Sequence, residues 1–216
     1  MKKFLVLAIS LIALASCEKD PDMSQLDSDF TVYTDYDSST DFSNFTTYCL
    51  PDSILVPGDG MKNSYWKDES AQRLISAAAE AMDSLGYKRV TNPDEATLGL
   101  QLSFTQMRTH VTDFVGGGMY GSWWNFAFWG PYWGGWYYPY PISYSYDTGT
   151  LMMEMVDLTK RTAATDDEKQ DLTVVWHAYA DGLLYGSSRI NLQLALRALN
   201  QAFTQSPYLN ILYTNE

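Results

Sequence analysis

The alternation of hydrophobic and polar residues predicts five β-strands. Residues 29–36, 97–106 and 172–180 place apolar or aromatic side chains at every second position, which is typical of a strand with one buried face. Residues 45–50 form a short strand. Residues 150–158 are apolar at nearly every position, which is typical of a central strand. Residues 97–106 alternate most strictly, so we expect one face of that strand to be buried and the other to be polar.

Two segments have helical periodicity instead. Residues 65–85 and 187–203 repeat apolar side chains at spacings of three and four, so each predicts an amphipathic helix with one buried face. Gly86 follows the first helix at the position where a left-handed residue commonly ends a helix. Residues 52–63 are rich in Pro, Gly and Asp and predict a loop.

These elements follow the order β-β-α-β-insert-β-β-α. Because short turns join most neighbouring strands, we predict an α+β fold: a two-layer sandwich with a mainly antiparallel sheet and two helices on one face. The length predicts one domain, residues 29–210, interrupted by a Gly- and aromatic-rich insert at residues 114–146.

The amino terminus has the pattern of a secretory leader. Lys2 and Lys3 precede an apolar run that is too short to span a bilayer, and small residues then lead to Cys17. The stretch 14–17, Leu-Ala-Ser-Cys, resembles the lipobox of bacterial lipoproteins. This resemblance implies that residues 1–16 are a signal peptide, that Cys17 is lipidated, and that residues 17–28 are a flexible tether to the domain. We therefore expect anchoring in the cell envelope, in the outer membrane, on its periplasmic or surface face.

Charge and cysteine content exclude several functions. The chain has 26 acidic and 14 basic residues, a formal net charge of −12, so it would be repelled by a phosphate backbone and we expect no nucleic-acid partner. Only two cysteines are present, and lipidation of Cys17 leaves Cys49 without a partner for an intrachain disulfide.

Several short motifs, in a fixed order, resemble the domain-of-unknown-function family 4136. The resemblance covers residues 30–207, and it implies a bacterial lipoprotein while carrying over no catalytic residue. The motifs are Asp35-Tyr36-Asp37, Asp41-Phe42, Thr47-Tyr48, Leu85-Gly86-Tyr87, Pro93-Asp94 with Ala96, Gly149-Thr150-Leu151, Val156-Asp157 and Val175-Trp176.

Motifs that would indicate a cofactor or metal are incomplete. Residues 116–121 match G-x-G-x-x-G, but no helix pattern follows, so nucleotide binding is not predicted. His110 and His177 lack the ligands of a zinc site, and the region around Asp35 and Asp37 lacks the Gly and Glu of an EF-hand. We predict no cofactor and no metal. His177 is predicted to be a partly exposed strand residue, and Asp157 a partner in a strand-end turn.

The insert contains five of the seven tryptophans. If they were all exposed, they would form an apolar surface of about 1,000 Å², larger than the patches of a typical monomer. The insert is therefore folded onto the sheet, disordered or packed on itself, bound to a partner or membrane, or bound to a small ligand such as a glycan. Self-association through the insert is a further alternative. The residues predicted to bind a protein or glycan partner are Trp123, Trp124, Trp129, Trp133, Trp136, Tyr137 and Tyr138.

The sequence favours a lipid-anchored envelope protein whose domain is structural or binds an unknown ligand, without enzymatic activity. The alternative is an envelope hydrolase acting on glycan or peptidoglycan. Its paired carboxylates would come from residues such as Asp35, Asp157 and Asp181.

Overall fold

A computed structural model describes residues 30–57, 63–105, 109–114, 126–129, 133–140, 142–146, 149–159, 170–185 and 189–212 of the chain. In these residues the fold is α+β, with two long helices on one face of a sheet, as predicted. The sheet has nine strands in the described residues: β1 (Thr31–Tyr36), β2 (Thr47–Cys49), β3 (Ile54–Val56), β4 (Ser64–Trp66), β5 (Lys88–Arg89), β6 (Leu98–Thr105), β8 (Trp133–Tyr137), β10 (Thr150–Asp157) and β11 (Gln170–Asp181). Six of them lie side by side in the order β1, β11, β10, β6, β2 and β5. In addition, β3 pairs with β6, β4 pairs with β3, and β8 pairs with β11.

Two small ribbons lie outside the large sheet. They pair β7 (Thr109–Phe114) with β9 (Ile142–Tyr146), and β12 (Leu184–Tyr185) with β13 (Arg189–Ile190). The long strands β1, β11, β10 and β6 are antiparallel, whereas β2 pairs in parallel with both β5 and β6. The mainly antiparallel character expected from the sequence therefore holds for the centre of the sheet.

The first helix, Glu69–Ser84, is shorter than predicted. Asp68 caps its first turn by accepting a 3.0 Å hydrogen bond from the Ala71 amide. The preceding residues 64–66 form β4 instead, because they pair with β3, a strand inside the segment predicted to be a loop. The Trp66 ring also packs against Phe104, with centroids 5.7 Å apart. Gly86 has φ +100°, which confirms the left-handed helix end.

The last helix, Leu192–Thr204, also begins later than predicted. The Asn191 side chain accepts hydrogen bonds from the Gln193 and Leu194 amides, and residues 189–190 just before it pair with β12. Both long helices pack on the same sheet face. Trp176 anchors this core: its side chain is fully buried, it donates a 2.9 Å hydrogen bond to Ser206 Oγ, and it stacks on Phe203. No helix in the described part of the chain is both long and apolar enough to cross a bilayer.

The prediction of one buried face for β6 is wrong, because all eight of its residues are buried. Its leucines and Phe104 face the helices, while Gln101 and Ser103 face the opposite side, which we call the second face of the sheet. A second hydrophobic cluster lies on that face and contains Trp129 and Tyr138 from the insert. The described parts of the insert thus form a second cover for the sheet.

Candidate functional site

Four polar side chains lie side by side across the second face. The strand register pairs Asp35 with His177, His177 with Glu154, and Glu154 with Gln101. Because register partners in antiparallel strands project to the same face, these side chains form one transverse row on four neighbouring strands. We call it the polar row. Its three inner members, Gln101, Glu154 and His177, are at most 3 % exposed, whereas Asp35 on the edge strand is half-buried.

Aromatic residues of the insert cover the three inner members. Trp129 Nε1 donates a 3.0 Å hydrogen bond to Gln101 Oε1, and the Tyr138 hydroxyl donates a short hydrogen bond to Glu154 Oε1. The Tyr140 hydroxyl and His177 Nδ1 share a 3.0 Å hydrogen bond. Each buried member of the row therefore has a hydrogen-bond partner among the described residues of the insert, which offsets part of the cost of removing these polar groups from water.

Gly99 makes room for this cover. A Cβ atom added to Gly99 would lie 2.6 Å from Cη2 of Trp129 and 2.8 Å from a methyl group of Val156. Real side chains do not approach that closely, so the Trp129 indole can lie flush on β6 only because residue 99 has no side chain. Gly99 is thus the point on β6 where Trp129 of the insert contacts the sheet.

Burial controls the ionisation of the row. It raises the pKa of Glu154 to about 7, and the hydrogen bond from Tyr138 offsets part of that rise. Burial also lowers the pKa of His177 to about 4, against the opposing attraction of the Asp35 carboxylate. Between these two values both groups are neutral in the folded protein. Glu154 Oε2 has no hydrogen-bond partner among the described residues, which adds to the cost of a charge there.

The arrangement fits a structural contact better than acid–base catalysis. A general acid or base must reach the group with which it exchanges a proton, directly or through one water. Glu154 is 1 % exposed, and the Tyr140 ring stacks on His177 with an interplanar angle of 9°. In the described part of the chain, no three His, Cys, Asp or Glu residues converge in a way that would hold a metal ion.

Comparison with known proteins identifies the family of this chain. The family model described as "Domain of unknown function (DUF4136)" matches residues 32–208. The chain belongs to the DUF4136 family. A DUF4136 family protein from Bacteroides thetaiotaomicron VPI-5482, solved at 1.60 Å, is 38 % identical with a TM-score of 0.68, and the match covers 86 % of this chain and 100 % of that one.

A second solved structure is more distant from this DUF4136 protein. It is a PelC dodecamer from Paraburkholderia phytofirmans, 13 % identical with a TM-score of 0.38, and the match covers 84 % of this chain and 97 % of that one. Comparison with curated proteins gives no match.

The DUF4136 domain separates the aromatic residues that the sequence grouped as a partner site. Trp129 and Tyr138 are buried against the sheet, while Tyr137 beside them is 37 % exposed. Trp133 and Trp136 lie in β8, whose backbone pairs in parallel with β11. Trp123, Trp124 and the predicted lipidation site Cys17 lie outside the described residues.

The structure corrects the prediction for His177 and confirms the turn at Asp157. His177 is buried because the insert covers a face that we expected to be polar and open. Asp157 Oδ1 accepts hydrogen bonds from the amide and hydroxyl of Thr159, as expected for a strand-end turn. Sequence reasoning missed Gln101, Glu154 and Tyr140. One signal was available: Glu154 is the single charged residue within the apolar stretch 151–156.

The carboxylates named for the hydrolase alternative do not form a pair with glycosidase spacing. Asp157 ends β10 at the side of the sheet opposite Asp181, which is hydrogen-bonded by Thr150 at the start of β10. Seven residues of strand separate these two ends, or about 23 Å. Asp35 pairs with His177, four residues before Asp181, which corresponds to about 13 Å along the strand. Glycosidase carboxylates lie only about 5–9.5 Å apart.

Proposed function

We propose that this DUF4136 protein is a lipid-anchored component of the bacterial cell envelope whose domain is a non-catalytic binding or structural module. The anchor rests on the sequence: a basic start, a short apolar run, and Cys17 directly after Leu-Ala-Ser. The structural observation that supports a non-catalytic domain is the sealed polar row, because Glu154 and His177 lie beneath Tyr138 and Tyr140.

Two carboxylates do flank His177, but only one of them is accessible. Asp35 and Glu154 lie on strands two spacings apart, which separates their Cα atoms by about 9.6 Å. Asp35 is half-buried at the sheet edge, whereas Glu154 is covered by Tyr138. A substrate could meet one acid but not the pair, so we do not propose a glycan hydrolase. Release of soluble fragments from purified peptidoglycan by the protein would contradict the non-catalytic proposal.

The exposed part of the insert is our proposed contact with a protein or glycan partner. Tyr137 is 37 % exposed next to the buried Tyr138, so alternate residues at this point face the sheet and the outside. A ring held on a fixed backbone loses little conformational entropy when it binds, which suits tyrosine to contact surfaces. In this proposal Trp129 and Tyr138 position the surface, while Tyr137 and the remaining predicted aromatic residues contact the partner.

Replacing Cys17 with serine is expected to move the protein from the membrane to the soluble fraction of a lipidation-competent bacterium. Serine has no thiol to carry the acyl chains, and one or more chains supply the membrane affinity in this proposal. Fractionation followed by mass spectrometry of the mature amino terminus makes the measurement. The matched control is Cys49→Ala, which removes the buried cysteine and should stay in the membrane fraction. A wild-type chain that begins at Met1, or that carries an unmodified Cys17 thiol, would rule out the anchor.

A further inference from the structure

The described residues of the insert lie over the inner strands, and Tyr33 on the edge strand β1 is an exposed part of the second face. Tyr33 is 37 % exposed there, and its ring stacks on the half-buried Tyr179 with centroids 5.1 Å apart and an interplanar angle of 23°. Tyr33 and Tyr179 are register partners on β1 and β11, so their rings stand on the same face, one row away from Asp35 and His177. The strip of the second face beside β1 therefore presents a pair of rings at the border of the buried polar row.

A carboxylate is held against these rings. Asp35 Oδ2 accepts a 3.2 Å hydrogen bond from the Tyr33 hydroxyl, and Oδ1 accepts a 2.8 Å hydrogen bond from the Tyr36 amide. These two contacts fix the orientation of the Asp35 side chain. The Tyr33 hydroxyl is protonated at neutral pH, as for any tyrosine, and burial and then the nearby Asp35 carboxylate raise its pKa further. The anionic group therefore has a defined position at the edge of an aromatic surface.

No basic side chain neutralises this carboxylate in the part of the chain that the structure describes. The ion pair found there joins Lys67 to Asp52, at a distance from Nζ to Oδ1 of 3.3 Å, in the segment around β3 and β4. A second carboxylate, Asp181, lies on the other side of Tyr179 and raises the pKa of that tyrosine, after burial. The whole chain has a formal net charge of −12, so its overall field also attracts cations.

We propose that Tyr33, Tyr179 and Asp35 form a docking site for an organic cation, namely an arginine or lysine side chain on a basic segment of a partner protein. A guanidinium or ammonium group over an aromatic face is attracted by the negative potential of the ring. A carboxylate beside the ring adds a charge-assisted hydrogen bond. The site is separate from the insert surface proposed above, and its failure would leave the anchor and the insert surface unaffected.

The test measures binding of a fluorescein-labelled tetra-arginine peptide to the full-length protein in detergent by fluorescence anisotropy. Tyr33→Leu is expected to weaken binding about two- to fivefold, the range of an exposed cation–π contact. Tyr33→Phe should retain most of the affinity, because it keeps the ring and loses only the hydroxyl. Tyr65→Leu is the matched control, since Tyr65 is also 37 % exposed and lies on β4.

Substitution of Asp35 distinguishes binding at a specific site from non-specific electrostatic attraction. Asp35→Asn should weaken binding about two- to fivefold, whereas Asp41→Asn, at an exposed cap of a 3₁₀ turn, should change it much less. Equal losses for the two variants would show non-specific electrostatic attraction and overturn the proposal. An unchanged affinity of Tyr33→Leu would also overturn it. So would binding of chitobiose but not of the peptide, because the strip would then be a sugar platform.

Discussion

Glu154→Gln and His177→Gln are expected to give the DUF4136 domain pH dependences of opposite sign. In Glu154→Gln, the free energy of unfolding should rise with pH between about 4.5 and 7 relative to wild type. In His177→Gln, it should fall with pH between about 4 and 6.5 relative to wild type. The difference in the free energy of unfolding between each variant and wild type should change by about 3 kcal/mol across its pH range, since one pKa unit corresponds to 1.36 kcal/mol.

The signs follow from proton binding in the folded and unfolded states. The pKa of Glu154 is about 7 when folded and 4.5 in the reference state, so the folded chain holds an extra proton and loses stability as pH rises through this range. The pKa of His177 is about 4 when folded and 6.5 in the reference state, so the unfolded chain holds the extra proton and stability is lost as pH falls. In wild type the two slopes oppose each other between pH 4.5 and 6.5, and their contributions nearly cancel.

Urea unfolding of the wild type and both variants at several pH values makes this measurement. All other titrating groups are common to the three proteins, so the differences between their profiles isolate Glu154 and His177. Glutamine retains a hydrogen-bonding side chain at each position, which limits damage to the contacts with Tyr138 and Tyr140. Profiles that are parallel for all three proteins would show that the two groups are in contact with water in the folded state.

Trp129→Ala is expected to destabilise the domain by about 3–5 kcal/mol. The indole is 4 % exposed, packs on Gly99 and donates a hydrogen bond to Gln101, so its removal leaves a cavity and takes away the indole donor. Chemical denaturation gives the change directly. Tyr65→Ala, at a side chain that is 37 % exposed, should cost less than about 1 kcal/mol.

Gly99→Ala tests the same contact from the sheet side. A methyl group at residue 99 would meet the Trp129 ring and prevent its present position, so this variant should also be destabilised. Because both changes act on one contact, the double variant should lose less stability than the sum of the two single losses. A Trp129→Ala protein with the unfolding midpoint of wild type would show that the insert does not pack on the sheet.

The skeleton of the fold could be predicted from the sequence because its strongest signals are periodic. The strands around 98–105 and 150–157 and the two helix faces each bury several apolar residues at regular spacing. The predicted ends of the helices were less accurate where pairing with a neighbouring strand decides the structure. Residues 65 and 66 belong to the predicted helix, yet they form a strand because β3 lies beside them.

The polar row could not be predicted, because it is created by register between distant strands. Gln101, Glu154 and His177 are 23 to 76 positions apart in the chain and become neighbours only when β6, β10 and β11 pair. The alternation in β6 indicated that its second face is polar, and polar side chains are usually exposed to water. The cover consists of Trp129, Tyr138 and Tyr140, which lie in a segment whose Gly and Pro content hides its periodicity.

Titration of the His177 imidazole shows whether the cover formed by the insert excludes water from the polar row. Proton NMR of the ring Hε1 resonance, assigned by comparison with His177→Gln, follows the ionisation between pH 3.5 and 8. A sealed row should give a midpoint at about 4, because burial disfavours the imidazolium. A midpoint near 6.5, the value of a solvated histidine, would contradict it.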